Sequence, residues 1–418
     1  MPDKPAERPF VPSRSYDIEM RIRDKDYSND LSRVRVVTSL DRNFINVILD
    51  IFVDPRDMIL DSICGQDTIK LRIRYIGQSQ PEVPKEQVDL NLVLFKLGFP
   101  IPQQQSIADT DQLDRVPISI ITVPDIQLYS LYHVSNGVYF AKTVSEILDD
   151  LVLKASPNWT STISSLFMDT EGLNSEIIDQ VVVPPIPLSK AIGYLHNTFG
   201  FYEGAMGWTW QDNSLRVLNL AKRMNKNSTF IIYQLISAQD NSKVIEKCTD
   251  GKNFYTYEPI RSDYGANARF AAEAREIHHI VKPRDTLYGD ILLELDTVCK
   301  DYGLISKRGT KIFYNPMLDG RVKYHVDHTG YDADNLFAIA RVTEPVKDMS
   351  TVVFSLERNL RIINLMKVGE PVQLTVNTVE STDLGGKYIL RSSDLMFNRS
   401  GEWQATATVR LMRTNRTL

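Results

Sequence analysis

Long apolar runs are missing from this 418-residue chain. No stretch of about 18 consecutive apolar residues occurs, and the start, MPDKPAERPFVPSR, has no apolar segment of the kind a signal peptide needs. Nothing in the sequence therefore signals export or membrane insertion. Cysteine is scarce: Cys64, Cys248 and Cys299 are odd in number, far apart and outside any C-x-x-C pair. This pattern argues against a disulfide framework and against cysteine-ligated zinc, and it fits folding in a reducing compartment. An excess of positive charge is missing too. A net charge of −5 argues against a general nucleic-acid binder, which must displace counterions from phosphates. DNA could pass such a weakly acidic surface without sticking. With 43% apolar and 24% charged residues the chain is globular, and its length fits about two to four domains.

Catalytic signatures are also lacking. The six histidines include His278 and His279, which follow Glu276, and His325 and His328 in Tyr324-His325-Val326-Asp327-His328. A metal cluster would form if the two segments met, yet neither H-E-x-x-H nor another ligand spacing is present, and on a strand His325 and His328 would point apart. Surface or core polar roles are the preferred reading, and whether residues 276–328 bind metal stays open. No G-x-S-x-G elbow occurs, and Cys64 has no local partner. Gly204, Gly207 and Gly369 follow no phosphate-cradling pattern and read as turns. Trp208 and Trp210 are able to stack bases, but paired aromatics on a hairpin pack more readily against a helix. Asp149 and Asp150 have no second acidic pair for glycosidic chemistry. Arg410, Arg413 and Arg416 make a basic end, either a solvated tail or a contact for an acidic partner. No catalytic, cofactor-binding or metal-ligating residue is assigned, no cofactor is expected, and the chain reads as structural rather than enzymatic.

What is present is an ordered module over 143–220. Thr143 and Glu146 form a capping box, and Val144, Ile147, Leu148 and Leu151 follow at the spacing of one buried helix face. The run Val181-Val182-Val183 predicts a strand that stops at Pro184-Pro185. A second helix is expected from Pro187 or Ser189, with Leu188, Ile192, Leu195 and Phe199 on one side and Gly200 ending it. Trp208 and Trp210 then alternate on a strand, residues 211–214 supply a turn, and Leu215 to Leu218 return as its hairpin partner.

Around this module the pattern is two-residue alternation. Tyr16, Ile18, Met20 and Ile22 define a half-buried strand, and similar strands are expected at 34–38, 47–53, 69–75 and 90–96. Residues 77–88 and 102–106 read as loops. Further strands are expected at 230–237, 244–248, 254–257, 352–356, 371–379, 387–390 and 403–411, with Asp383 to Gly386 as a hairpin turn. Between them, 266–274 and 285–301 read as helices, and 304–307 with 310–314 as a hairpin. The fold class is α+β, mainly β. The expected domains are a Pro-rich extended arm at 1–13, a first β-barrel at 14–125, an α/β connector at 126–220, a second β-barrel made of 221–262 plus 341–418, and an inserted α/β subdomain at 263–340.

The runs Thr143 to Leu151, Val183-Pro184-Pro185, Ser189 to Leu195 and Leu215 to Leu220, with Val368 to Leu374, Gly386 to Leu390 and Trp403 to Leu411 near the end, resemble baseplate hub proteins of contractile-tailed, T-even-like bacteriophages. They are also similar to the N-terminal hub part of type VI secretion spike proteins. The resemblance implies two tube-protein-like antiparallel barrels per chain and a homotrimer whose barrels continue the six-fold tail tube. Its other face would hold a three-fold central spike, with a channel for DNA passage. Implied partners are the spike, the tail tube or tube-initiator protein, tape measure protein and baseplate wedge proteins. The location would be the virion tail, assembled in the host cytoplasm. Since the sequence stops at Leu418 without a repetitive β-helix, the spike is expected on a separate polypeptide. The arm at 1–13 is a candidate for reaching a neighbouring subunit. Two alternatives stand beside this: a hub of a secretion or extracellular injection system, and a tail-associated cell-wall hydrolase using the 276–328 histidines.

Overall fold

A computed structural model of the chain describes residues 16–23, 25–40, 45–53, 68–76, 86–98, 116–155, 165–202, 206–211, 214–235, 242–248, 250–258, 261–262, 279–281, 312–314, 349–357, 360–376 and 385–414. The N-terminal arm, the helices expected at 266–274 and 285–301, and the strand expected at 304–307 lie outside them.

Strands β1 (Tyr16–Ile22), β2 (Lys25–Asp26), β3 (Leu31–Ser39), β4 (Ile45–Val53), β5 (Thr68–Tyr75), β6 (Gln87–Gly98) and β7 (Val116–Pro124) come first. In β1 the alternation is borne out: Tyr16, Ile18, Met20 and Ile22 are buried while Asp17, Glu19 and Arg21 face outward. β7 was not expected from the sequence, because its outward Ile121 spoils the two-residue pattern. The chain then enters α1 (Asp125–Tyr132), β8 (Val134–Lys142), α2 (Val144–Ala155), β9 (Ser165–Met168), β10 (Ile178–Pro187), α3 (Leu188–Phe199), β11 (Met206–Gln211), β12 (Ser214–Asn219) and α4 (Leu220–Asn225). After these come β13 (Phe230–Gln234), α5 (Ser242–Lys247), β14 (Asn253–Thr256), β15 (Arg261–Ser262), β16 (His279–Val281), β17 (Ile312–Tyr314), β18 (Met349–Leu356), β19 (Pro371–Val376), β20 (Gly386–Ser400) and β21 (Glu402–Thr414). The mainly-β, α+β class read from the sequence is the class observed.

One large sheet carries most of the strands, and the long β20–β21 hairpin organises it. The order β20-β3-β4-β7-β6-β5-β1-β21 is antiparallel throughout and closes on itself, since β20 and β21 pair directly and Tyr16 lies opposite Trp403. This is the first ring. The same hairpin also carries β19 on the other stretch of β20 and β18 on β21, from which β13, β14 and β15 continue. That second set closes where β14 meets β18: Glu357, just past β18, donates its N–H to the Tyr255 carbonyl at 3.1 Å, and Thr256 Oγ1 donates to the Ser355 carbonyl at 2.6 Å. The second ring is mixed, for β13 runs parallel to both β14 and β19. A parallel pair needs a crossover, and α5 provides it between β13 and β14.

The strand expected at 244–248 is therefore α5 instead. Val244 and Cys248 are four apart, so the helix places both toward the core, where the Cys248 thiol reaches the Val244 carbonyl at 3.2 Å. β20 continues well past Leu390, the end expected from sequence. A register shift between Leu390 and Ser392 resets the alternation, after which Ser393, Leu395 and Phe397 point inward. A single apolar core runs through both rings, and a second fills the α/β module of residues 126–217.

In that module β8 and β10 form a two-stranded antiparallel ribbon, and β9, β11 and β12 a small three-stranded sheet. β10 does not stop at Pro184-Pro185. It runs to Pro187, and the ladder skips the prolines at a register shift between Val183 and Ile186, so their missing N–H groups cost no pairing. The capping box forms: Glu146 accepts from the Thr143 N–H at 2.8 Å, and Thr143 Oγ1 accepts from the Glu146 N–H at 3.3 Å. Gly200, at φ 73°, turns the chain out of α3 and donates back to the Leu195 and His196 carbonyls.

Candidate assembly surfaces

The chemistry-bearing side chains among the described residues are occupied with structure. His196 Nδ1 accepts the Phe201 N–H at 3.3 Å beyond the end of α3. Burial pushes the Cys248 thiol up to about 12, so it stays protonated and is a poor nucleophile. Trp208 and Trp210 lie in the module core with Ile147, Leu151 and Leu195 and offer no stacking platform. Asp150 pairs with Lys154 at 2.7 Å. Arg413 donates to the Gly385 carbonyl at 3.2 Å and lies over the Tyr388 ring. His279 sits in a three-residue strand paired with Ile312–Tyr314, whereas His278, His325, His328, Cys64, Cys299 and Arg416 lie outside the described residues. Among the described residues, no group of three or more His, Cys, Asp or Glu is placed to hold a metal ion.

What the fold does bring together is a junction that fixes the module on the rings. Arg223 on α4 is 7% exposed at its side chain and donates through Nε and Nη2 to both oxygens of Asp169, at 2.6 and 3.1 Å. Its third nitrogen meets Glu370 Oε1 at 3.3 Å, and Arg216 of β12 reaches the same carboxylate oxygen at 3.4 Å. Glu370 also accepts from Thr229 Oγ1 at 3.1 Å. Asp169 further accepts the Asn219 N–H at 3.0 Å, and the Asn219 side chain caps α4 by accepting from the Lys222 N–H. Burial works against the Arg223 charge, yet Asp169 and Glu370 outweigh it and hold the guanidinium above its ordinary range.

Gly369 lies beside this network at φ +84°, packed so tightly on Leu218 that a Cβ would run into Leu218 Cδ1. Gly369 is a turn residue as expected, whereas Gly207 sits inside β11 against Leu40 and Leu220. Sequence reasoning missed this junction entirely. Asp169, Arg223 and Glu370 are 54 and 147 positions apart along the chain, and no local pattern links them.

A second junction joins the two rings. Tyr16 Oη donates to the Leu360 carbonyl at 2.6 Å and accepts the Ile362 N–H at 2.8 Å, with the Tyr75 and Phe397 rings edge-on at about 5 Å. Burial raises its pKa, so the hydroxyl remains a donor. Next to it Arg361 pairs with Glu86 at 2.7 Å.

The outward face of the first ring is a lattice of cross-strand ion pairs. Arg72 of β5 reaches Asp89 of β6 and Glu19 of β1, Arg33 of β3 reaches Asp50 of β4, and Arg35 reaches Asp394 of β20. Burial pushes the Asp89 carboxyl up, but hydrogen bonds from Arg72 and Gln87 outweigh it and hold it below the usual carboxylate range. Such a surface is solvated and self-satisfied, and each exposed pair is worth at most about 1 kcal/mol.

No family model matches the chain, and no curated protein matches it in sequence. Solved structures do match in fold. A tail protein from Neisseria meningitidis MC58 aligns with a TM-score of 0.55 and 10% identity, over 95% of this chain and 96% of its own. The 43 kDa tail protein of prophage MuSo2 from Shewanella oneidensis aligns with a TM-score of 0.52 and 13% identity, over 94% of this chain and 97% of its own. A PdpA-VgrG complex from Francisella aligns more weakly, at 0.49 with 10% identity, over 96% of this chain and 58% of that one. The chain thus has, over nearly its whole length, the fold of the Neisseria and Shewanella tail proteins.

Proposed function

We propose that the chain is the structural hub of a contractile-tail baseplate. It would assemble as a homotrimer that adapts the six-fold tail tube to the three-fold central spike. The observation that carries this reading is the end-to-end likeness in fold to two tail proteins, together with two closed rings built in one chain on one shared hairpin. Two rings per chain supply six around a three-fold axis. The barrels are taken as 14–125, whose ring the shared β20–β21 hairpin completes, and 221–262 plus 341–418, with residues 126–220 as the connector between them and residues 263–340 as an insertion in the second. Its partners are the tube or tube-initiator protein on one face and a separate spike polypeptide on the other, with tape measure and wedge proteins nearby. DNA leaves through the channel without specific binding. The protein resides in the virion tail after assembly in the host cytoplasm, and its work is assembly, with no bond made or broken.

Sedimentation of the purified full chain, alone and with the tube and spike proteins of its own tail, tests the reading. A three-chain mass that captures both partners is expected. A single-chain mass at every concentration, with neither partner retained, would sink it.

A further inference from the structure

The β8–β10 ribbon has two unlike faces. Tyr139, Val181 and Val183 point into the module core. The opposite face carries Val134, Val138, Phe140 and Val182, which are 55%, 54%, 64% and 52% exposed. Val138 and Val182 stand directly opposite each other in the ladder, and Phe140 lies opposite Gln180. At the two ends of the ribbon Tyr132 and Ile177 are exposed as well. The pattern is inverted from an ordinary surface strand, for β8 turns the polar Ser135 inward and valines and phenylalanine outward. A soluble monomer rarely keeps such a contiguous apolar patch uncovered.

Charge and area identify what covers it. The outward positions Val134, Asn136, Val138, Phe140, Gln180 and Val182 carry no charge at all, in contrast with the ion-paired outer face of the first ring. Where the same face of three copies converges on a three-fold axis, like residues lie near like residues, so any charge there would repel itself; a neutral apolar face does not. The exposed side chains offer on the order of 500 Å² of apolar surface, a large part of the roughly 800 Å² that each partner buries in an ordinary interface.

We propose that the outer face of the β8–β10 ribbon is buried against a second copy of this chain, and that the α/β module is a self-association element rather than a passive link between rings. The inference rests on the reading of the chain as a self-assembling hub and adds where the copies meet. Velocity sedimentation of the full-length protein tests it, comparing wild type with Val138→Asp, Phe140→Asp and Val182→Lys. Val138→Thr serves as a conservative control, and a thermal melt confirms that each variant is folded. The expected result is a multi-chain wild type and charged variants whose self-association weakens roughly tenfold or more, with the melt of the isolated chain unchanged. Folded variants that keep the wild-type mass overturn this inference and leave the hub reading standing. So do variants that keep that mass but lose the spike or tube protein, because the face then belongs to a different partner. A wild type that stays a single chain at all concentrations overturns the hub reading first, and this inference with it.

Discussion

The first ring and the α/β module solve the problem of an outer surface in opposite ways. In the ring, Arg72, Arg33 and Arg35 each find carboxylates on neighbouring strands, and the exposed Phe52 and Phe95 stand on strands β4 and β6, which are not neighbours in the sheet. In the module the core is equally complete, with Ile147, Leu148, Leu195 and Trp210 buried, but the ribbon exposes Val138 and Phe140. Stability therefore resides in both regions, whereas exposed apolar side chains stand side by side on the ribbon. The difference separates a surface satisfied within the chain from one left uncovered by it. It holds only if the two regions act as one body, so the sharpest way to break it is at the junction between them.

The largest effect is expected from Arg223→Ala. It leaves Asp169, whose side chain is 3% exposed, without its bidentate partner, and breaking a buried pair by removing one member costs about 3–5 kcal/mol. Lys226, 3.8 Å from Asp169, recovers part of that. Urea unfolding followed by tryptophan fluorescence should show the loss, since Trp208 and Trp210 report on the module. The double variant Arg223→Met with Asp169→Leu should regain most of the stability, because it removes both charges. A loss under about 1 kcal/mol for Arg223→Ala would mean the junction is not what couples the regions.

A smaller effect is expected at Gly369. An alanine there must hold φ near +84° and push Leu218 aside, which together cost roughly 2–4 kcal/mol. Gly207→Ala is the matched comparison. Its added methyl would lie 3.1 to 3.3 Å from the flexible ends of Leu220 and Leu40, in an extended strand, so the neighbours give way at a fraction of that cost. Thermal melts of the two variants should differ clearly, with Gly369→Ala much the lower. Equal melting temperatures would show that the close approach of Leu218 to Gly369 relaxes freely.

How much of this was legible in the sequence follows from where each signal lies. β1 and β21 were readable because each has one wet and one dry face, as in the alternation from Trp403 to Leu411. α2 was readable because its capping box and its apolar spacing agree. β20 was cut short because Tyr388, Ile389 and Leu390 are all buried where the two rings share the strand, and the register shift then moves the alternation by one. α5 was misread because Val244 and Cys248 fit a period of two as well as a period of four. β8 was passed over because its apolar residues face outward, so its pattern contradicts the rule that finds strands. The Asp169, Arg223 and Glu370 network left no trace, since it exists only once distant segments are folded together. Sequence signals thus found the parts that satisfy themselves, and missed the places where distant parts of the chain meet or where apolar residues are left outside.

The smallest expected effect isolates the module by pH. Hydrogen bonds from the Thr143 N–H and hydroxyl hold the Glu146 carboxyl below its usual range. A carboxylate whose folded pKa is depressed contributes stability that is complete above its unfolded value of about 4.3 and is lost as pH falls through the lower folded value. Glu146→Gln removes that dependence while leaving an acceptor that can still cap. The melting temperatures of wild type and Glu146→Gln should therefore differ slightly at pH 7 and converge below pH 4. Asp150, held low by the Lys154 ammonium, remains in both proteins and cancels from the comparison. The ring carboxylate Asp89 also cancels, which makes the convergence a readout of the module alone. A gap that stays constant across that range would place the capping box outside the acid sensitivity of the fold.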